Sequence, residues 1–464
     1  MSEFTDMPDK PRPRLLHVTT VPQTLGFLVR QVESAKRRGF DVHALSSPGA
    51  DLTGFGKRAH IDVHELPMAR RITPLKDLLS LWRLGRILRR LRPDIVHAHT
   101  PKGGLLGMIG AWICGVPVRV YHVHGLPMIT ATGLKRLLLR WSEKVSCKLA
   151  NQVYCVSESV RAVAVAEGLC DPAKIKVLLN GTIDGIDADR TFNPVCVDTA
   201  ARQEIRNQHG IPADAPVIGF VGRIVRDKGM IELTQAWQVL REEFPNLHLL
   251  IVGPFEPQDP VPVEVESLLR SDARIHLTGG VAAREVSRFY RAMDVLTLPT
   301  YREGFNTVLL EAAAMELPVV ASRVPGCIDG VIEGETGILV PSHDAGALAD
   351  ALRVYLGDPQ MRRIHGAAGR VRVLRDFRPE DMSEAIYQEY LRLLKDKHPS
   401  FSSSAWERSA EAPLPEAELP NLRSQAELGN EIPPVDSGAL APRVQSDSRS
   451  ESATNSCPQQ RMIS

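Results

Sequence analysis

No two of the seven cysteines, at 114, 147, 155, 170, 196, 327 and 457, form a C-x-x-C pair, and their number is odd. That argues against a disulfide framework or a thiolate zinc site, so reduced cytosolic thiols with no disulfide partner are expected. Long apolar runs are also missing. The longest, 105–118, falls short of the roughly 20 residues that a bilayer-spanning helix needs and is broken by Gly115 and Pro117; a buried helix followed by a strand is expected there. The first 14 residues are polar and proline-rich and contain no apolar signal segment. The fingerprint G-x-G-x-x-G does not occur. Net charge is almost absent, at +1, but only as an average: residues 14–150 carry 22 Lys and Arg against 8 Asp and Glu, whereas 398–464 carry 5 against 9. An anionic partner is therefore expected to act locally.

The composition, 43% hydrophobic and 24% charged over 464 residues, is that of a soluble globular protein. The length corresponds to about two or three domains. Short β-rich runs alternate with helical patterns in two successive series. Strand 15–20, a loop with Pro22 and Gly26, an amphipathic helix to about Arg38 and strand 41–45 make a β-loop-α-β opening. Ligands of such units gather at the C-terminal strand edge, here 19–27. Strands at 94–98, 118–123, 153–156 and 175–179 follow, then a turn-rich connector at 180–190. The second series has strands at 217–221, 247–252, 275–277 and 295–298, and a last short strand at 339. An amphipathic helix spans 381–395, and from 399 the composition shifts to Ser, Pro, Glu and Gln, which reads as a disordered tail.

Two helices carry unusual charge. Helix 74–91 has Lys76, Arg83, Arg86, Arg89 and Arg90 opposite its leucines, flanked by Arg70, Arg71 and Arg92; helix 133–149 has Lys135, Arg136, Arg140, Lys144 and Lys148. Such a helix lies on an anionic membrane surface, each basic residue contributing about 1 kcal/mol, or is an ordinary surface helix of an α/β domain.

Candidate site residues fall at strand ends. Lys102 with Gly103 and Gly104 opens a helix and suits an anion or acceptor group. His124 ends strand 118–123 as a donor to a ligand oxygen or as a structural hydrogen-bonder. His97, His99, His122 and His124 together suggest a metal, but they lie on two strand ends without acidic partners, so no metal is expected. Asp187-x-Asp189 is too short and too common a pattern to carry a metal site. Arg223 and Lys228 lie five apart in the turn after strand 217–221, where a guanidinium and an ammonium make a diphosphate clamp. In 298–322, Glu303 and Gly304 lie in a polar turn before a helix and Glu311 follows eight residues later. With the helix starting near Phe305, the carboxylates are roughly 12 Å apart along the axis, too far for a shared acid/base pair. They reach two parts of one long ligand, or they are a helix-dipole carboxylate and a solvated helix residue.

Gly222-Arg-x-x-x-x-Lys228, then Glu303-Gly-Phe-x5-Glu311, then Pro318-Val-Val-Ala-Ser and the loop of Gly326 and Asp329 resemble glycosyltransferase family 4 over residues 14–396. The segments Thr-Thr-Val-Pro-Gln-Thr-Leu-Gly-Phe-Leu and His-Thr-Pro-Lys-Gly-Gly look most like its bacterial capsule, O-antigen and lipid-linked oligosaccharide branch. The resemblance implies an α/β protein of the GT-B fold, two facing Rossmann-like domains with parallel sheets. The expected divisions are a flexible 1–13, an acceptor domain 14–190, a nucleotide-sugar domain 191–378, a crossover helix 379–397 and the tail 398–464. It implies Arg223 and Lys228 on the donor diphosphate, Glu303 on the donor sugar and Glu311 on the ribose. The amides of Gly304, Phe305, Asn306 and Thr307 would lie beside sugar and phosphates, Val281 near the base, Gly26 in the first loop and His124 on the sugar from the other domain. Glu316 stands where Gly is usual, and Asp184 where Asn is common.

The activity implied is retaining transfer of a hexose or N-acetylhexosamine from a nucleotide sugar, UDP-linked by preference, to a lipid-linked or saccharide acceptor. No cofactor, essential metal or nucleic acid is expected, and the place of action is cytoplasmic, at the inner face of the plasma membrane. The alternatives are a GT-B epimerase, which would release nucleotide and sugar without needing an acceptor, a phosphorylase, which would ordinarily carry a cofactor-lysine signature not found in this sequence, and a non-catalytic nucleotide-sugar sensor or assembly subunit, which the clamp together with both glutamates disfavours.

Overall fold

The computed structural model describes residues 12–69, 73–257 and 259–397; Arg70, Arg71 and the tail lie outside them. The first sheet contains β1 (Arg14–Val18), β2 (Asp41–Ser46), β3 (Asp62–Glu65), β4 (Ile95–His99), β5 (Val118–Val123), β6 (Gln152–Cys155) and β7 (Ile175–Val177), in the order β3-β2-β1-β4-β5-β6-β7. The second contains β8 (Val217–Val221), β9 (His248–Val252), β10 (Ile275–Leu277), β11 (Val295–Leu298), β12 (Val319–Ser322) and β13 (Gly337–Val340), in the order β10-β9-β8-β11-β12-β13. Neighbouring strands pair in parallel throughout, as in β1 with β4 and β8 with β11. Parallel pairing requires a crossover after each strand, and helices on both faces make the central strands apolar on both sides. Val-Ile-Gly-Phe-Val in β8 and His-Leu-Leu-Ile-Val in β9 are buried along their whole length. Strand order reverses between β1 and β4 and again between β8 and β11, so each sheet opens a crevice beyond those strand ends.

The helix Pro379–Lys397 returns to the first sheet. Its Ile386, Tyr390, Leu391 and Leu394 pack with Leu15, Ile95, Val118 and Val120, and each such side chain contributes about 1.5–3 kcal/mol when fully buried. Tyr154 Oη donates to Glu389 at 2.7 Å, which ties the helix to β6. The connector is likewise structural. Asp187 pairs with Arg30 at 3.1 Å and accepts from Thr191 Oγ1, so the D-x-D pattern is spent on holding the chain in place.

Candidate active site

Lys228 and Glu303 come from the loops after β8 and β11, the two strands flanking the switch point of the second sheet. The first loop turns through a 3₁₀ segment, Arg226–Lys228, into Gly229 at φ 71°. A Cβ on Gly229 would lie 1.9 Å from the Pro299 carbonyl oxygen, so glycine alone lets this turn press against the second loop. The Tyr301 amide donates to the Asp227 carbonyl and the Arg302 guanidinium to the Asp227 carboxylate, stitching the loops together. Lys228 Nζ thereby meets Glu303 Oε1 at 2.5 Å, with both side chains largely enclosed. Arg223 is differently placed. It is 56% exposed and pairs with Glu256, in the loop after β9, at 3.2 Å. The two cations share one sheet edge, but each is held by its own carboxylate. Glu256 escaped the sequence reading, although Gly253-Pro254 marks its loop.

The helix carrying Glu311 is Thr307–Ala314, capped by Asn306, whose side chain accepts from the Val308 amide at 3.0 Å. It starts beyond Phe305, so half of the span from Glu303 to Glu311 is turn, and the axial-rise spacing expected from sequence does not apply. Glu311 accepts from Tyr290 Oη at 2.8 Å. Burial pushes its carboxyl up, against the hydrogen bonds from Tyr290 and Thr307. Val281 is partly buried against the second core. Phe305 turns its ring to the connector, edge-on to Phe377 at 5.6 Å; a Cβ on Gly181 would lie 3.2 Å from it.

The first half closes on the same loops. A Cβ on Gly304 would fall 1.7 Å from the His124 carbonyl oxygen, and one on Gly326 would fall 2.4 Å from the Gly304 carbonyl oxygen. What approaches Gly304 so closely in this structure is therefore the His124–Gly125 backbone. Ser157 Oγ donates to the Gly304 carbonyl at 2.8 Å, and the Ser159 amide donates to Asp329 at 3.0 Å. Gly26 is exposed in the 3₁₀ turn Pro22–Leu28, and nothing lies within 4 Å of where its Cβ would be. Gly103 and Gly104 have packing reasons instead: their Cβ atoms would meet Thr100 Oγ1 at 2.8 Å and the Tyr121 ring at 2.1 Å. The Gly103 amide donates to Thr20 Oγ1, and Lys102 pairs with Asp77 at 2.7 Å. The chain's own groups thus engage this candidate anion site.

His97, His99, His122 and His124 gather with a fifth histidine, His17. The sequence separates them, but β1, β4 and β5 are adjacent, with His17 in register with His97 and His99 with His122. One ring nitrogen from each of His17, His97 and His99, and from each of His99, His122 and His124, lie within 4.8 Å of one another. Separation on different strand ends is therefore no argument against a shared ligand. Burial keeps the rings neutral: it lowers His17 and His124 to about 4, and His97, His99 and His122 well below 6.5.

Two doubly wound units that close on each other at their strand ends define the GT-B architecture, with a lysine–glutamate site in the second unit. The family model for glycosyl transferases group 1 matches residues 201–372, and that for a glycosyl transferase 4-like domain matches 27–181. The capsular polysaccharide biosynthesis glycosyltransferase CapM of Staphylococcus aureus is 33% identical over 383 residues, 82% of this chain and 98% of that one. The UDP-Gal:alpha-D-GlcNAc-diphosphoundecaprenol alpha-1,3-galactosyltransferase of Escherichia coli is 25% identical over 390 residues, 83% and 98% of the two chains. Among solved structures, Anabaena HepE in complex with UDP-glucose superposes with a TM-score of 0.67 at 20% identity, over 81% of this chain and 99% of that one. The chain belongs to glycosyltransferase family 4. It is an enzyme of the hexosyl-transferring type, with a role in surface-polysaccharide synthesis.

Proposed function

We propose that the protein transfers a hexose or N-acetylhexosamine from a UDP-sugar, with retention and without a metal, to a lipid-linked or saccharide acceptor at the cytoplasmic face of the membrane. The observation that carries this reading is the enclosed Lys228–Glu303 pair at the second switch point, under the facing His124–Gly125 backbone. A glycosyl–phosphate bond breaks when charge on the departing diphosphate is stabilised. Lys228 and Arg223 supply that charge once their carboxylates yield to the phosphates, and Glu303, freed in the same exchange, accepts from sugar hydroxyls. Removing one such preorganised group costs on the order of 3–4 kcal/mol of barrier. Glu303 is held by Lys228 rather than poised as a nucleophile, which favours front-face attack, the leaving phosphate oxygen taking the acceptor's proton. The Escherichia coli relative, a UDP-Gal-dependent galactosyltransferase, and the Anabaena structure in complex with UDP-glucose support a UDP-linked donor.

Membrane contact is supported by surface chemistry. The helices Pro74–Leu91, Pro101–Ile113 and Gly133–Leu149 pack side by side. They expose Leu75, Leu78, Trp82, Trp112, Leu134 and Trp141, with Arg86 over the Trp82 ring at 4.9 Å. Exposed tryptophans and leucines among basic residues suit the interface of an anionic bilayer. None of the described helices is long and apolar enough to cross a membrane. Purified protein given a panel of UDP- and GDP-sugars with lipid-linked acceptors, and products read by mass spectrometry, tests the reading. Tight donor binding without acceptor-dependent nucleotide release would overturn it.

A further inference from the structure

The face of the first sheet beneath helix Pro379–Lys397 changes character along its strands. Leu15, Ile95, Val118 and Val120 form its lower part and pack against that helix. Toward the C-terminal edge the same face of the same strands presents His17, His97, His99 and His122, all buried, and the chain then reaches His124 at the cleft. Three of these rings form a line. His124 Nε2 is 3.0 Å from His99 Nδ1, and His99 Nε2 is 3.1 Å from His17 Nδ1. The inner end, His17 Nε2, is buried without a partner. The outer end, His124 Nδ1, has no partner among the described residues and belongs to a residue only partly buried.

Counting protons fixes what this line can present. The rings are neutral, so each has one N–H, and each of the two N···N contacts needs one. Only two arrangements satisfy both. In the first, every ring is protonated at Nε2: His124 shows a lone pair to the cleft and His17 strands an N–H in the interior. In the second, every ring is protonated at Nδ1: His124 shows an N–H to the cleft and His17 strands only a lone pair. Stranded buried N–H groups are the rarer of the two in folded proteins, which favours the second. Interconversion requires a proton to leave or enter at His17 Nε2, where no described group accepts or supplies one. The line is therefore a dead end that locks a tautomer.

We propose that His17 and His99 are positioning residues that hold His124 as a fixed hydrogen-bond donor, its Nδ1–H directed at a substrate oxygen in the cleft. His124 then supports charge on that oxygen but does not serve as a general base, because an added proton would remain as an imidazolium among four other buried imidazoles. This rests on the cleft being the glycosyl-transfer site, but its first test does not depend on turnover. A cation spanning the same nitrogens is the competing use of the cluster. Both nitrogens of His99 already stand at hydrogen-bond distance from neighbouring rings, at 3.0 and 3.1 Å, and no carboxylate hydrogen-bonds or ion-pairs with the cluster among the described residues, so hydrogen bonding is favoured.

The test is long-range ¹H–¹⁵N NMR of histidine-labelled, ligand-free protein, with His124 assigned by the signal lost in His124→Asn. The expected result is a neutral ring protonated at Nδ1. Replacing His17 by Phe should mix the tautomers of His99 and His124 and lower kcat at least tenfold, with the donor dissociation constant within about threefold of wild type. Replacing His17 by Gln, whose amide still donates to His99, should restore the His124 signal and at least ten times the turnover of the Phe variant. Protonation of His124 at Nε2, an imidazolium, or a stoichiometric metal found by elemental analysis would each overturn the proposal. So would a Phe variant that stays folded by thermal melting and keeps the wild-type His124 signal.

Discussion

Glu256 holds Arg223 in a partly exposed ion pair, and exposed pairs are worth only about 0.2–1 kcal/mol. A diphosphate therefore competes easily for the guanidinium, and the pair costs donor binding no more than that amount. Replacing Glu256 by Gln is expected to tighten UDP binding about two- to fivefold by calorimetry; weaker binding would mean that Glu256 orients Arg223 rather than occupying it. At this scale the sequence was informative about types and poor about partners. Arg223, Lys228, Glu303 and Glu311 stand out by spacing and by resemblance. Tyr290 on Glu311, Glu256 on Arg223 and His17 beneath His99 do not, because each is brought in by a helix, loop or strand distant along the chain. The glycines show the same limit. Gly304 reads as room for a ligand, and in this structure that room is taken by backbone from the other half.

Individual elements were legible where an apolar periodicity was strong. Helices 74–91 and 133–149 and strands β5, β8, β10 and β11 have the bounds that the residues suggest. Strand β3, Asp-Val-His-Glu, lies at a sheet edge with all four side chains at least partly exposed, so it leaves no apolar signal. The helix Ala201–Gln208 buries only Ala201, Ile205 and Arg206. Glu316, where a glycine is usual, stands at φ 62° just after the Glu311 helix. A left-handed non-glycine residue costs roughly 1–2 kcal/mol, partly offset by the greater chain entropy that glycine loses. Glu316→Gly should accordingly stabilise the protein by about 0.5–1 kcal/mol, read as a rise in denaturation midpoint; a fall would show that the Arg370 contact at 3.8 Å outweighs the strain. The basic helix gives a separate prediction. Neutralising Arg83, Arg86 and Arg90 should weaken binding to anionic vesicles on the order of 100-fold, at about 1 kcal/mol per residue. Unchanged flotation would leave Pro74–Leu91 an ordinary surface helix.

The whole molecule carries its buried histidines as a pH liability. Unfolded, each titrates near 6.5; folded, burial holds His17 and His124 to about 4 and the other three well below 6.5. Between those values the unfolded chain binds protons that the folded one refuses, so stability falls as pH drops below about 6.5. Glu143 and Asp184, raised to about 7 by burial, act in the opposite sense, as does Glu311. The folded state binds their protons first, and their contribution is lost as pH rises toward 7. The histidines outnumber these carboxyls, so the net effect of acidification below about pH 6.5 is a loss of stability. Thermal melting should show the highest midpoint near pH 6.5 and a steep fall toward pH 5; a flat profile would mean the rings are hydrated.

The two-unit architecture was the most legible feature, because alternating strand and helix patterns constrain topology strongly. How the halves meet was not, since that depends on Gly125 touching Gly304 across the cleft, with Gly326 pressed on Gly304 from within the second half. The claim that this junction is a transfer site centred on Lys228 and Glu303 is tested most directly by acceptor-dependent UDP release from a UDP-sugar, compared between the wild type, Lys228→Ala and Glu303→Gln. The account predicts release by the wild type only with acceptor, and a fall of at least about 100-fold in each variant with the melting temperature preserved. Near-normal rates in either folded variant would contradict it.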